Sequence, residues 1–200
     1  MTQSGRDRIE GDFYYTEPWA TQELLKVFTP DLVTWECASG EGDLSEELQK
    51  RHRVISTDLH HYYAYEHKAT SDVDFLKTPE LPIHSPTVKT IITNPPYGPG
   101  GHLARKFCEH ALALTKPVKG SVAMLMKVDF DSGSSRQHIF KDCPAFAGKL
   151  VLLDRLQLVK GPMTAQPMYN HAWYLWDWNR EPWPSTIRYS GRKPKCKKST

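Results

Sequence analysis

The run Thr93-Asn94-Pro95-Pro96-Tyr97-Gly98 sets a carboxamide, two prolines, a phenol ring and a glycine side by side. That combination suits one difficult reaction. An amino group conjugated to a planar ring or a carbonyl is a poor nucleophile, because its lone pair is delocalised. A site restores its nucleophilicity by accepting both N–H bonds, here at the Asn94 side-chain oxygen and the Pro95 carbonyl. This draws the nitrogen toward tetrahedral geometry and aims its lone pair at an electrophilic methyl. Pro95 and Pro96 fix the direction of that carbonyl, and the Tyr97 ring offers a surface on which an extruded base can stack. Asn, Pro and Gly are also the usual turn formers, so a plain rigid turn is the competing reading. The segment directly follows a β-branched run, at the sheet edge where α/β proteins bind ligands, and this favours the chemical reading.

A second constellation precedes it. Glu36-Cys37-Ala38-Ser39-Gly40-Glu41-Gly42 puts an acid at the end of a predicted strand and two glycines in the turn that follows, so that backbone can approach a ligand. Asp58 ends the next strand, where a carboxylate can accept both hydroxyls of a ribose. NAD and S-adenosylmethionine both fit these features. Ala38, Gly40, Gly42 and Ser45 meet the NAD-type glycine spacing imperfectly.

Alternating strands and helices must position these residues, which predicts an α/β fold with a mostly parallel sheet. The expected order is a helix over 18–28, a strand over 32–37, a short helix around Leu44 and Leu48, and a strand over 53–57. A weakly marked strand over 71–75 follows, then a strand over 88–93 that the prolines terminate. A helix carrying Leu103, Phe107, Ala111 and Leu114, a strand over 121–128, a helix over 134–140 and a strand over 150–153 come next. An aromatic strand over 171–178 is expected last, after the Pro-interrupted loop 161–167, with an irregular end.

Composition narrows the partners. A chain of 200 residues with 39% hydrophobic content allows one domain with a real core. No apolar run reaches the roughly 20 residues of a membrane span, and the N-terminus has no secretory h-region, so a cytoplasmic protein is expected. Cys37, Cys108, Cys143 and Cys196 show no ligand spacing and read as free thiols; no metal is expected. The net charge is +3, but Arg192, Lys193, Lys195, Lys197 and Lys198 crowd the last nine residues. Removing those five from the 26 bases leaves 21 against 23 acids, so the basicity belongs to the tail. Such a tail can hold phosphate backbones or stay solvated.

Taken in order, these motifs resemble the class I S-adenosylmethionine-dependent amino-methyltransferases, and more closely the small adenine-N6 DNA methyltransferases of phages and prophages. The resemblance covers nearly the whole chain. It implies a single Rossmann-like domain over 1–185 and a seven-stranded, mostly parallel sheet with an antiparallel last strand; the charge distribution makes 186–200 the expected basic, flexible tail. It implies S-adenosylmethionine as cofactor, with Tyr15 and Thr16 beside its methionine end, Glu36, Ala38, Gly40 and Gly42 in the cofactor loop, and Asp58 on the ribose. Asp74 and Phe75 would meet its adenine, although Asp72 competes with Asp74 because a one-residue slip changes the face. Asn94, Pro95, Pro96 and Tyr97 match the family's catalytic motif outright. Glu17 departs from the pattern, standing where many members place a proline.

The motif order is similar to the γ arrangement, in which a recognition domain follows the last strand. Almost nothing follows here, so only the loops near 129–136 and 160–170 remain to read a target, and relaxed sequence preference is expected. Arg136 could meet a phosphate or be an ordinary solvated arginine; Trp173, Trp176, Trp178 and Trp183 could stack bases or fill the core. Three functions stay open. The first is methylation of adenine N6 in DNA, with RNA adenine and cytosine N4 as variants. The second is methylation of a protein glutamine, and the third a non-catalytic binding module.

Overall fold

In a computed structural model, which describes residues 14–62, 69–84, 86–157, 168–181 and 185–191, ten regular elements follow one another. They are α1 (Pro18–Leu25), β1 (Val33–Glu36), α2 (Asp43–Gln49), β2 (Arg53–Ser56), β3 (Thr90–Thr93), α3 (His102–Thr115), β4 (Ser121–Lys127), β5 (Phe146–Leu152), β6 (His171–Asp177) and β7 (Thr186–Ser190). The strands form one sheet in the order β2-β1-β3-β4-β6-β5-β7. β1 pairs in parallel with β2 and β3, and β3 with β4; β6 is antiparallel to β4 and β5, while β5 and β7 are parallel. β6 therefore runs against the other strands, and it is the strand expected to be antiparallel.

Burial explains this arrangement. β1 and β3 are buried at every position, as central parallel strands covered on both faces must be. In β4 the side chains alternate: Val122, Met124 and Met126 enter one core layer, Ala123 and Leu125 the other. α3 closes the first layer with Ala104, Phe107, Cys108, Ala111 and Leu112, spaced to line one helical face. α1 and α2 close the second through Ala20, Leu24, Leu44 and Leu48. Trp173 and Trp176 are fully buried, so their bulk fills the core. Trp183, Cys196, the loop 161–167 and the basic cluster 192–198 lie outside the described residues.

Three expectations change. The strand over 71–75 is replaced by a 3₁₀ helix at Phe75–Lys77, with a single parallel bridge between Thr57 and Thr70. Asp72 has φ 61°, which a strand does not tolerate, and the Asp74 side chain caps the turn by accepting from Leu76 N at 3.1 Å. The segment over 134–140 is a 3₁₀ helix, Ser134–Ile139. Residues 186–190, assigned to the tail, form the edge strand β7 instead. Its side chains bury little, Ile187 staying 60% and Tyr189 66% exposed. Main-chain pairing with β5 holds such a strand without an apolar pattern to announce it. Among the described residues no helix is long and apolar enough to cross a membrane.

Candidate functional site

The chain leaves β1 for β2 on one side and returns to β3 on the other, so the sheet's connections diverge between β1 and β3. A crevice opens outside the carboxyl ends of strands at such a switch. Two cavities lie here, one of about 260 Å³ and one of about 490 Å³, and Tyr14 lines both.

The first gathers most of the cofactor-site expectations. Thr16, Glu36, Ala38, Gly40 and Asp58 line it, as do Asp74, Phe75, Asn94 and Pro96. Asp72, Tyr15, Gly42 and Pro95 do not. The structure thus brings Asp74 rather than Asp72 to the wall, and Tyr14 and Thr16 rather than Tyr15. Gly40 (φ 53°) and Gly42 (φ 94°) shape the loop from within; both φ values are left-handed, which costs any residue with a Cβ about 1–2 kcal/mol.

Main-chain hydrogen bonds hold the carboxylate of Asp58, which is 7% exposed. Gly40 N donates to Oδ2 and His60 N to Oδ1, each at 2.8 Å. Each oxygen keeps a lone pair for a further donor, so the group can take hydroxyls. Burial pushes the Glu36 carboxyl well above the usual carboxylate range; the Ser45 hydroxyl, donating to it, pulls the other way, while Asp58 and Asp43 add to the rise. Phe75 is pinned edge-on to Trp35, with centroids 5.2 Å apart, and presents its ring to the cavity.

Asn94 stands at the end of β3. Its Nδ2 donates to Tyr14 O at 3.2 Å and to Thr16 Oγ1 at 3.1 Å, which uses both amide hydrogens and fixes the orientation of the carboxamide. Its Oδ1 is buried and has no hydrogen-bond partner among the described residues. A buried carbonyl oxygen held in one direction is an acceptor for an N–H that a substrate brings.

The second cavity takes Tyr97 together with Lys127, Phe130, Arg136 and His171. Tyr97 meets Tyr14 edge-on at 5.7 Å, and its hydroxyl donates to Leu125 O at 3.4 Å. Arg136 donates to Phe130 O at 2.7 Å and Gly100 O at 3.1 Å, and its guanidinium lies 4.0 Å over the Phe130 ring. It ties the loop after the Asn-Pro-Pro-Tyr segment to the loop after β4. Neither reading of Arg136 from sequence anticipated that clamp.

Sequence reasoning passed over three residues. Tyr14 was masked by its twin Tyr15. Ser39, whose buried Oγ has no partner among the described residues, sat inside the glycine loop without distinction. His171 opens the aromatic strand, and period-two alternation is the signal that it faces a different way from Ala172.

Neither a family model nor a curated protein matches the chain in sequence. Solved structures do match in fold. A Listeria monocytogenes protein provisionally described as a class I S-adenosylmethionine-dependent methyltransferase superposes with a TM-score of 0.56 at 14% identity, over 87% of this chain and 62% of that one. The methyltransferase subunit of a type I restriction-modification system from Streptococcus thermophilus gives 0.60 at 14% identity, over 90% of this chain and 47% of that one. An E. cuniculi complex responsible for methylation of a translation termination factor gives 0.52 at 16% identity, over 83% and 98%. The chain spans about three fifths of the Listeria protein and about half of the Streptococcus subunit. The sheet order and these likenesses together show a Rossmann-like α/β fold, shared with these methyltransferase structures.

Proposed function

We propose that the chain is an N-methyltransferase that moves a methyl group from S-adenosylmethionine to the exocyclic N6 amino group of adenine in DNA. The observation that carries this reading is the Asn94 side-chain oxygen, buried, without a hydrogen-bond partner among the described residues and locked in direction, on a residue that lines the first cavity. The residues of that cavity fit the cofactor. Asp58 would accept its ribose hydroxyls, Asp74 and Phe75 would meet its adenine, and Glu36, Ser39 and Thr16 supply polar groups for the remainder.

The cofactor supplies a methyl on a sulfonium sulfur. Asn94 Oδ1 would accept one N–H of the acceptor amine and the Pro95 carbonyl the other, which localises the nitrogen lone pair. Asn94 and Pro95 would hold the acceptor nitrogen with its lone pair toward that methyl, and the proton that the nitrogen gives up on methylation would pass to solvent. Tyr97 would stack the acceptor base, held outside the duplex. A cavity with aromatic rings beside Lys127 and Arg136 suits a base and its phosphate better than an aliphatic amide. The five cations of 192–198 would add a hold on phosphate that reads no sequence.

The test is transfer of labelled methyl to duplex DNA, single-stranded DNA, RNA and protein, followed by nucleoside and amino-acid analysis. N6-methyladenine in DNA is the expected product. Label confined to RNA, to cytosine or to protein glutamine would replace the substrate, and no label in any acceptor would remove the enzymatic reading.

A further inference from the structure

β6 enters the sheet against the other strands, so its first residue, not its last, arrives at the carboxyl edge where the site lies. That residue is His171, paired in register with Lys127, the last residue of β4. His171 is 1% exposed and lines the second cavity, yet neither ring nitrogen has a hydrogen-bond partner among the described residues. The Tyr169 backbone lies near but does not reach hydrogen-bond geometry. Every other large side chain at that end of β6 has a settled role: Trp173 donates to Ala20 O at 2.8 Å, and the Tyr174 hydroxyl to Val128 O at 2.8 Å. A histidine with two idle nitrogens is a costly way to fill a core, and a cavity wall is where that cost can be recovered by a ligand.

We infer that His171 is a specificity-determining residue that hydrogen-bonds the edge of the acceptor base in the second cavity, an inference that rests on the methyltransferase reading above. Burial, reinforced by the Lys127 ammonium, lowers the ring to about 4, with the Tyr169 backbone and Asp129 opposing. The imidazole is therefore neutral near pH 7 and offers one N–H donor and one lone pair. This chemistry matches a neutral heterocycle whose rim alternates acceptor and donor, as an aminopurine or aminopyrimidine does. An anion would be met by Lys127 or Arg136 instead. The rings of Tyr14, Tyr97 and Phe130 on the same wall suit such a planar guest.

The experiment compares the wild-type chain with His171→Ala and His171→Gln on an adenine-containing duplex, and on duplexes whose target adenine has N1, N3 or N7 replaced by carbon. His171→Ala should raise the KM for DNA or lower kcat by about 10- to 100-fold, with unchanged cofactor affinity. His171→Gln, which keeps a donor and an acceptor, should recover much of the loss. One ring-nitrogen replacement should slow the wild-type chain about tenfold yet leave His171→Ala unaffected. The proposal is overturned if the variants stay within about twofold of wild type, or if no replacement slows the wild-type chain. The second result needs no variant to fold. A wild-type chain that methylates no nucleic acid would instead overturn the proposed function, and this inference with it.

Discussion

In the first cavity the protein's own hydrogen bonds hold the carboxyl groups of Asp58 and Glu36, whereas the wall of the second carries a histidine with no partner among the described residues. Asp58 takes two main-chain N–H groups and Glu36 takes the Ser45 hydroxyl, so the first cavity keeps its shape without a guest. In the second, Lys127 lies 3.7 Å over the Tyr169 ring and His171 has no partner among the described residues. A group held by main chain positions a ligand common to every turnover. Side chains with idle donors and acceptors discriminate among guests, because a wrong guest leaves them unpaired. Substitutions at the boundary, in each cavity and on its rim test that contrast.

The largest effect is expected at the boundary. Asn94→Ala should lower single-turnover methyl transfer by about 10²- to 10³-fold while leaving cofactor binding nearly intact. Full activity in that variant would remove the proposed chemistry. Because Asn94 also ties Tyr14 and Thr16, Asn94→Asp serves as companion: it keeps an oxygen toward the acceptor but loses donors toward those residues.

The second cavity predicts a pH dependence of stability. His171 titrates at about 4 in the fold against 6.5 in an unfolded chain, so below 6.5 the unfolded chain binds the proton more readily. The stabilising contribution is complete above about pH 6.5, declines as pH falls and is gone below about 4. A shift of this size amounts to on the order of 3 kcal/mol. Urea unfolding at pH 7.5 and 4.5 measures it, and His171→Gln should flatten that part of the profile. An equal decline in the variant would assign the slope to other groups.

In the first cavity, Asp58→Ala should weaken S-adenosylmethionine binding by about 1–3 kcal/mol, measured by calorimetry. Unchanged affinity would detach Asp58 from the cofactor.

The same contrast governs what the sequence disclosed. The first cavity comes largely from contiguous motifs at strand ends, where residue type and turn chemistry coincide, so Glu36, Gly40, Asp58 and Asn94 were readable. Asp74 was reached through resemblance and placed on a strand that does not form, since the capping of Phe75–Lys77 leaves no periodic trace. The second cavity joins Tyr14, Tyr97, the loop after β4 and the start of β6. The crossing of β6 between β4 and β5 brings His171 to the others, and no local pattern encodes that crossing. β7 was missed for a related reason: an exposed edge strand is held by its neighbour's main chain rather than by its own hydrophobicity.

The smallest expected effect separates ring from hydroxyl at Tyr97. The ring lines the second cavity and packs edge-on against Tyr14, while the hydroxyl reaches Leu125 O at 3.4 Å, long for an O–H···O bond. If Tyr97 serves by stacking, Tyr97→Phe keeps the useful part and should change the KM for DNA by less than about twofold, with a stability loss of a few tenths of a kcal/mol. Tyr97→Ala removes the platform and should weaken acceptor binding by about 1–3 kcal/mol, a rise of about 5- to 150-fold in KM, with cofactor affinity nearly unchanged. The pair of variants measures the ring against a background in which the loop is intact. A large loss in Tyr97→Phe would show instead that the hydroxyl anchors the loop to β4, and that Tyr97 belongs with the groups the fold has already used rather than with those awaiting a guest.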